Sequence, residues 1–309
     1  DINQDYVIVT DDQIPTIYLE KIVTTIPQSL FIKIPSGETS KSLSTYQMII
    51  SFLQKNNITK KALLIALGGG VVGDITGFVA STYLRGIDYI QIPTTLLAQV
   101  DASVGGKTGI NFEKNKNVIG SIYPPKYVII DPQTLNTLSN RHFNNGIAEV
   151  IKYGLISSKK MIETLEKPNV IYHITDLIAQ SIEIKKKLIE QDEYDQNMRR
   201  YLNFGHTLGH AYESYYQFNK YLHGEAIAIG MLPMIMNQNL KMRITKLLDK
   251  YQLPTNDSVP IESLLFHIEK DKKRIGETYH IITIDTIGKP SIKEATINQI
   301  IEIVRKGEE

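Results

Sequence analysis

Residues 62–74 read ALLIALGGGVVGD. The first half is an uninterrupted apolar run, the pattern of a central strand in a parallel sheet covered on both faces. The second half is rich in glycine and leads into a helix expected from Asp74. A strand that passes through glycines directly into a helix presents backbone N–H groups at the positive end of the helix dipole. Phosphate is favoured there, and residues without a Cβ let it approach. The spacing departs from G-x-G-x-x-G, so these residues alone fit dinucleotide binding and a plain tight turn equally well.

The flanking sequence repeats the same rhythm. Strands are expected at residues 6–10, 30–34, 88–92 and 127–130, and helices at 17–25 and 42–55, which indicates a parallel α/β sheet. After Asp131 the texture changes to long amphipathic segments at 146–157, 176–191, 205–216 and 226–239. A strand-like patch at 279–284 and a terminal helix near 297–306 follow. The expected fold is an α/β N-terminal nucleotide-binding domain with a parallel sheet, residues 1–131, plus a mainly α-helical C-terminal domain, residues 132–309.

Composition narrows the function. Lys and Arg total 34 against 33 Asp and Glu in 309 residues, a net charge of +1, so no global field steers nucleic acid or an anionic membrane. With no cysteine, disulfides and thiolate ligands are excluded, and His, Asp and Glu remain for any transition metal. The apolar stretch at 226–236 is broken by Gly230 and Pro233 and is too short to span a bilayer. Residues 6–10 already read as a buried strand, so no signal peptide is expected, and a reducing cytoplasm suits the composition.

Three further segments carry chemistry. Asp11, at the end of the first strand, suits ribose hydroxyls and equally a helix N-cap. PTTLLAQVDASVGGKTGINFEKNKN, residues 93–117, places Thr94, Thr95, Asp101, Lys107, Lys116 and Asn117 among glycines at the far end of a strand, where ligands of α/β sheets collect. Its plainer reading is a solvated loop. In GIAEVIKYG, Glu149 and Lys152 share a helical face, as a surface ion pair would. In FGHTLGHAYE, His206 and His210 are four apart and so share a face, with His223 soon after in LHGEAIAIGM. One helical histidine is usually packed or solvated, whereas a glutamate with two histidines and an open position is a standard catalytic zinc set.

Together these segments resemble the 3-dehydroquinate synthase family from about Tyr6 to Lys273. The matches are GGGVVGD, LRGIDYIQIPTTLLAQVDASVGGKTGIN, AEVIKYG, DEYDQNMRRYLNFGHTLGHAYE, LHGEAIAIGM and the DKK of residues 271–273. The resemblance implies a nucleotide-binding domain joined to a helical one. It implies that Glu149, His206 and His223 bind a divalent metal, zinc or cobalt. It also implies that Asp101, Lys107, Asn117, Lys152, Lys185, Arg199, Asn203, His210 and Lys272 surround the substrate. Asp11, Glu38, Lys41, Gly69, Gly70, Asp74, Thr94, Thr95, Lys107 and Lys116 match the family's NAD contacts. Arg85 matches an arginine that reaches a neighbouring subunit's site, so a homodimer is expected.

The implied reaction takes 3-deoxy-D-arabino-heptulosonate 7-phosphate to 3-dehydroquinate in the shikimate pathway to aromatic amino acids. Transient oxidation by NAD acidifies a neighbouring proton, phosphate is eliminated, the ketone is re-reduced, and an aldol addition closes the ring. Another sugar-phosphate cyclase, or a metal-dependent NAD polyol or alcohol dehydrogenase, is the competing expectation. The cluster of Lys107, Lys152, Lys185 and Arg199 argues against the dehydrogenase, because a polyol has no anion to hold. Two departures stand out: Asn115 replaces a glycine common in the family, and the arginine that usually follows DKK has no clear counterpart in RIGETYHIITI. The strand and loop that usually precede Tyr6 are absent from the sequence.

Overall fold

A computed structural model describes residues 4–113, 115–192, 197–269, 274–275 and 278–308. The chain divides into two compact units, Asp1–Ser139 and Asn140–Glu309.

The first unit contains β1 (Tyr6–Asp11), α1 (Thr16–Thr25), β2 (Leu30–Ile34), α2 (Leu43–Lys55), β3 (Leu63–Gly68), α3 (Gly70–Thr82) and β4 (Asp88–Pro93). It continues with β5 (Lys107–Phe112), β6 (Asn115–Ile122) and β7 (Tyr127–Val128). A parallel five-stranded sheet runs β2-β1-β3-β4-β7. Alternate side chains build a core on each face. Val7, Val9, Leu64 and Ala66 pack with Ile49, Leu53, Val72, Ile75 and Val79 of α2 and α3, while Ile8, Ile65 and Leu67 pack with Leu19 of α1. Burying each such aliphatic side chain contributes roughly 1.5–3 kcal/mol. This is why residues 63–68 show no polar alternation.

One expectation is corrected in this unit, and one alternative is set aside. α3 begins at Gly70 with Gly69 as its N-cap, a turn earlier than the start expected at Asp74. Gly69 and Gly70 thus form the helix entry, and a Cβ on Gly70 would meet Ala102 at 3.3 Å. Residues 93–117 are not a solvated loop. Ala98–Ala102 forms a single π-helical turn, and β5 and β6 pair as an antiparallel hairpin. Gly109 faces Gly120 across that hairpin, and a Cβ on Gly120 would fall 2.2 Å from the Thr108 carbonyl oxygen. The two glycines thus permit close strand pairing.

The turn Pro132–Thr137 goes with the first unit. Gln99 Nε2 donates to the Asp131 carbonyl at 3.2 Å and lies 3.0 Å from Thr134 Oγ1.

The second unit holds α4 (Asn140–Ser157), α5 (Lys159–Glu166), α6 (Ile174–Gln191), α7 (His206–Tyr215), α8 (His223–Met231), α9 (Gln238–Lys250) and α10 (Ile261–Glu269). β8 (Arg274–Ile275), β9 (Thr278–Thr286), β10 (Lys289–Ala295) and α11 (Ile297–Glu308) complete it. α4 is its central helix, buried on every face from Asn145 to Ile156.

The single helix expected at 226–239 is two. α8 stops at Met231, Pro233 sits in a short turn, and the Met236 N–H donates to the Ile284 carbonyl at 2.8 Å before Asn237 caps α9. Proline lacks the N–H that helix continuation needs, and β9 captures the freed backbone. β10, which pairs antiparallel with β9, was not expected, because KPSIKEA begins with Lys-Pro and is mostly polar. No helix among the described residues is long and apolar enough to cross a membrane.

Candidate active site

In the first unit, the β3–α3 junction and the β5–β6 hairpin hold Gly69, Gly70, Asp74, Lys107 and Lys116, which were expected on the nucleotide side. α3 has no side-chain cap, so its first N–H groups have neither an intrahelical acceptor nor a capping side chain. A Cβ on Gly69 would meet Thr95 Cγ2 at 3.1 Å. These features suit a phosphate drawn close to the helix entry.

Next to the junction, the buried Lys41 pairs with Asp74 at 2.5 Å and donates to Asn117 Oδ1. Glu38 Oε1 lies 3.9 Å from the same ammonium and accepts from Asn111 Nδ2 at 2.9 Å. The fold therefore brings together Glu38, Lys41 and Asp74, given to the nucleotide, with Asn117, given to the substrate.

The remaining first-unit residues lie on neighbouring segments. Asp11 Oδ1 accepts from the Gln13 N–H at 2.9 Å, closing a turn, and the N-cap of α1 is Pro15 rather than Asp11. Thr94 is buried and its N–H donates to the Gly68 carbonyl at 3.0 Å, while Thr95 Oγ1 accepts from the Ala98 N–H at 3.2 Å. Asp101 lies in the π-helical turn, Lys107 opens β5, and Lys116 lies on β6. Arg85 is exposed, in a turn where Leu84, Arg85 and Gly86 take φ values of 50°, 65° and 114°. Such a run of left-handed residues is uncommon for side chains other than glycine.

The second unit holds the metal candidates. Glu149 lies on α4, His206 opens α7, and His223 opens α8. Their ligand atoms all fall within 4.8 Å of one another. His223 Nε2 is 3.6 Å and His206 Nε2 is 3.8 Å from Glu149 Oε1. A tetrahedral metal with bonds near 2.1 Å sets its donors about 3.4 Å apart, so both distances to Glu149 Oε1 come within a few tenths of an ångström of what a zinc-sized ion needs.

Electrostatics agree. Glu149 is wholly buried, and neither of its oxygens accepts a well-directed hydrogen bond, although Oε2 forms an ion pair with Lys152 Nζ. Burial works against charge on His223, but the carboxylates of Glu213 and Glu149 outweigh it and leave the imidazole pushed up to about 10. The spot thus favours positive charge.

His210 stands beside the set, with ring centroids 5.2 Å from His206 and 5.9 Å from His223. The buried Arg199 and the neighbouring Asn203 lie in the Met198–Asn203 turn, which packs on α4 and α6, and Lys185 lies on α6. The Arg199 N–H donates to Asp192 Oδ2 at 3.1 Å, which fixes that turn. Lys272 lies outside the described residues.

Three groups beyond those expected support this centre. Asn145 Oδ1 accepts from the Gly224 N–H at 2.6 Å, tying the start of α8 to α4. Glu225 accepts from Arg141 and from the Leu222 N–H, which holds the same helix entry. The third addition is Glu213, whose Oε2 lies 3.4 Å from His223 Nδ1. A signal for it was present, since it stands three residues after His210 and seven after His206, on their helical face.

Comparison with known proteins agrees with this architecture. A family model described as "3-dehydroquinate synthase N-terminal" matches residues 31–145, and one described as "3-dehydroquinate synthase C-terminal" matches residues 146–274. A 3-dehydroquinate synthase of Streptococcus suis is 39% identical over 320 residues, covering 98% of this chain and 90% of its own. That of Clostridium kluyveri is 42% identical over 316 residues, covering 96% and 88%. A crystal structure of 2-deoxy-scyllo-inosose synthase, complexed with carbaglucose-6-phosphate, NAD+ and Co2+, superposes with a TM-score of 0.87 at 26% identity, covering 98% of this chain and 91% of that one. Relatives of this similarity span nearly the whole sequence and both halves match, so the chain belongs to the 3-dehydroquinate synthase family.

Proposed function

We propose that this chain acts as a carbon-oxygen lyase, converting 3-deoxy-D-arabino-heptulosonate 7-phosphate into 3-dehydroquinate and phosphate with NAD and one divalent metal, zinc or cobalt. The observation that carries this reading is the convergence of Glu149, His206 and His223 beside the buried Lys152. When bound, NAD supplies a reversible two-electron oxidation of a substrate hydroxyl, and the metal supplies Lewis acidity at that oxygen. The similarity to an inosose synthase described with NAD+ and Co2+ supports the cofactor pair.

The chain's own residues bind and orient. Glu149, His206 and His223 would hold the metal. Lys152, Lys107 and Lys185 supply point charges for the substrate's phosphate and carboxylate, and the planar fork of Arg199 suits a two-oxygen contact. Asp101, Asn117, Asn203 and Lys272 offer hydrogen bonds to the remaining oxygens. His210 holds and moves a proton on its imidazole, a role worth about 10² to 10⁴ in rate. On the nucleotide side Gly69 and Gly70 admit the phosphates. Glu38, Lys41, Asp74, Thr94, Thr95 and Lys116 surround the NAD, and Asp11 takes the ribose hydroxyls. The enzyme works as a cytoplasmic homodimer in which Arg85 serves the partner's site.

The test is incubation with the heptulosonate phosphate, zinc and substoichiometric NAD, following phosphate and reduced nicotinamide together. Many phosphates released per NAD with negligible net NADH is the expected result. NADH rising in step with substrate loss would replace the lyase by a dehydrogenase.

A further inference from the structure

His206 and His223 present the same ring nitrogen, Nε2, towards Glu149, and each has a different group behind it. His206 Nδ1 lies 3.1 Å from the Phe204 carbonyl oxygen. His223 Nδ1 lies 3.4 Å from Glu213 Oε2. A carbonyl or an ionised carboxylate only accepts, so when Nε2 gives its lone pair to a metal, the proton left on the ring is the one on Nδ1 that faces the group behind it. Glu213 itself is only 3% exposed, and a buried carboxylate is retained at a cost unless it is paired or serves a cation.

We infer that Glu213 is the positioning residue of the metal centre: it orients His223, fixes its Nδ1–H tautomer and strengthens Nε2 as a donor. This rests on the metal site under the proposed function. The placement follows from the helices. Glu213 stands on the last turn of α7 and His223 opens α8, so the carboxylate reaches the imidazole from the side opposite Glu149. His206 leans on main chain, which no substitution removes, whereas His223 depends on one side chain. The two imidazoles therefore differ in donor strength. Glu213 is the chain's lever for tuning metal affinity, because a carboxylate behind an imidazole raises the basicity of the ligating nitrogen more than a neutral carbonyl does.

The experiment uses the full chain stripped by a chelator and titrated with Co2+, read by its visible absorption bands and by competition with a chromophoric chelator. The wild type should bind one equivalent. Glu213→Gln should bind about 10 to 100 times more weakly with shifted bands, and Glu213→Asp should recover part of the affinity. The metal-free variants should keep the far-ultraviolet dichroism of the wild type. In zinc-loaded wild type, nitrogen NMR should show His223 protonated at Nδ1, a readout that needs no variant to fold. Unchanged cobalt affinity and bands in Glu213→Gln, or a His223 protonated at Nε2, would overturn the role of Glu213 alone. A second equivalent of cobalt lost with Glu213 would make it a ligand and likewise overturn the inference. Failure of the wild type to bind cobalt at all would overturn the metal reading together with it.

Discussion

Glu149 and Lys152, one helical turn apart on α4, form an ion pair that is shut away from solvent, with residue exposures of 0% and 1%. The same glutamate faces both metal-candidate histidines. Removing the lysine leaves that carboxylate short of compensation, which typically costs 3–5 kcal/mol for a buried pair. Lys152→Met should therefore unfold at lower urea in the metal-free state and gain more stability from added zinc than the wild type does. Urea melts with and without zinc decide it, and equal gains in both proteins would count against a metal sharing Glu149.

Gly224 follows His223 directly, and a Cβ there would fall 2.0 Å from the Asn145 carbonyl oxygen. Gly224→Ala must push α8 away from α4, an overpacking cost of roughly 1–3 kcal/mol. Cobalt affinity should fall as well, because His223 moves with the helix start. Calorimetry and metal titration together test this, and a stable variant with undiminished affinity would contradict the clamp.

Lys41 pairs with Asp74 in the first unit. Lys41→Met should weaken NAD binding by tenfold or more, in line with the roughly 1.5–3 kcal/mol of a hydrogen bond to a charged group. Cobalt affinity should be unaffected. Isothermal titration with each ligand reads both, and an NAD affinity equal to wild type would remove Lys41 from the nucleotide site.

Asp257, its side chain fully enclosed, accepts from Tyr216, Tyr221, Lys220 and the Val259 N–H. Burial raises its carboxyl, but Lys220, Tyr221, the Val259 N–H and Tyr216 outweigh this and hold it below the usual carboxylate range. A folded-state value lower than the unfolded one contributes stability that is fully present above the unfolded value, near 3.9, and is lost as pH falls through the folded value. Urea midpoints should thus drop steeply below about pH 4 in the wild type. In Asp257→Asn they should be lower at neutral pH and flatter in acid, and parallel curves would refute the assignment.

Arg85, exposed in its left-handed turn, is expected to serve a neighbouring subunit. Arg85→Ala and Lys152→Ala should each be inactive alone and recover activity when mixed dimers form, because one hybrid site is intact. No recovery in demonstrably mixed dimers would argue against sharing.

The apolar run at 63–68 announced a buried parallel strand, and Glu149, His206 and His223 stood out because their chemistry and helical spacing are local properties of the sequence. The alternation in β1 was equally local: Val7 and Val9 face one core and Ile8 the other. Tertiary structure decided the rest. Glycines 109 and 120 look like loop residues until their strands are paired, and the 226–239 segment breaks because Ile284, far along the chain, takes up the backbone beside Pro233. Lys41, Asp74 and Asn117 meet from three separate elements. Glu213 was visible in its motif, but that its carboxylate backs His223 depends on how α7 packs against α8. Periodicity is written within one element, whereas a site is made of distances between elements, and only the packing of their side chains sets those.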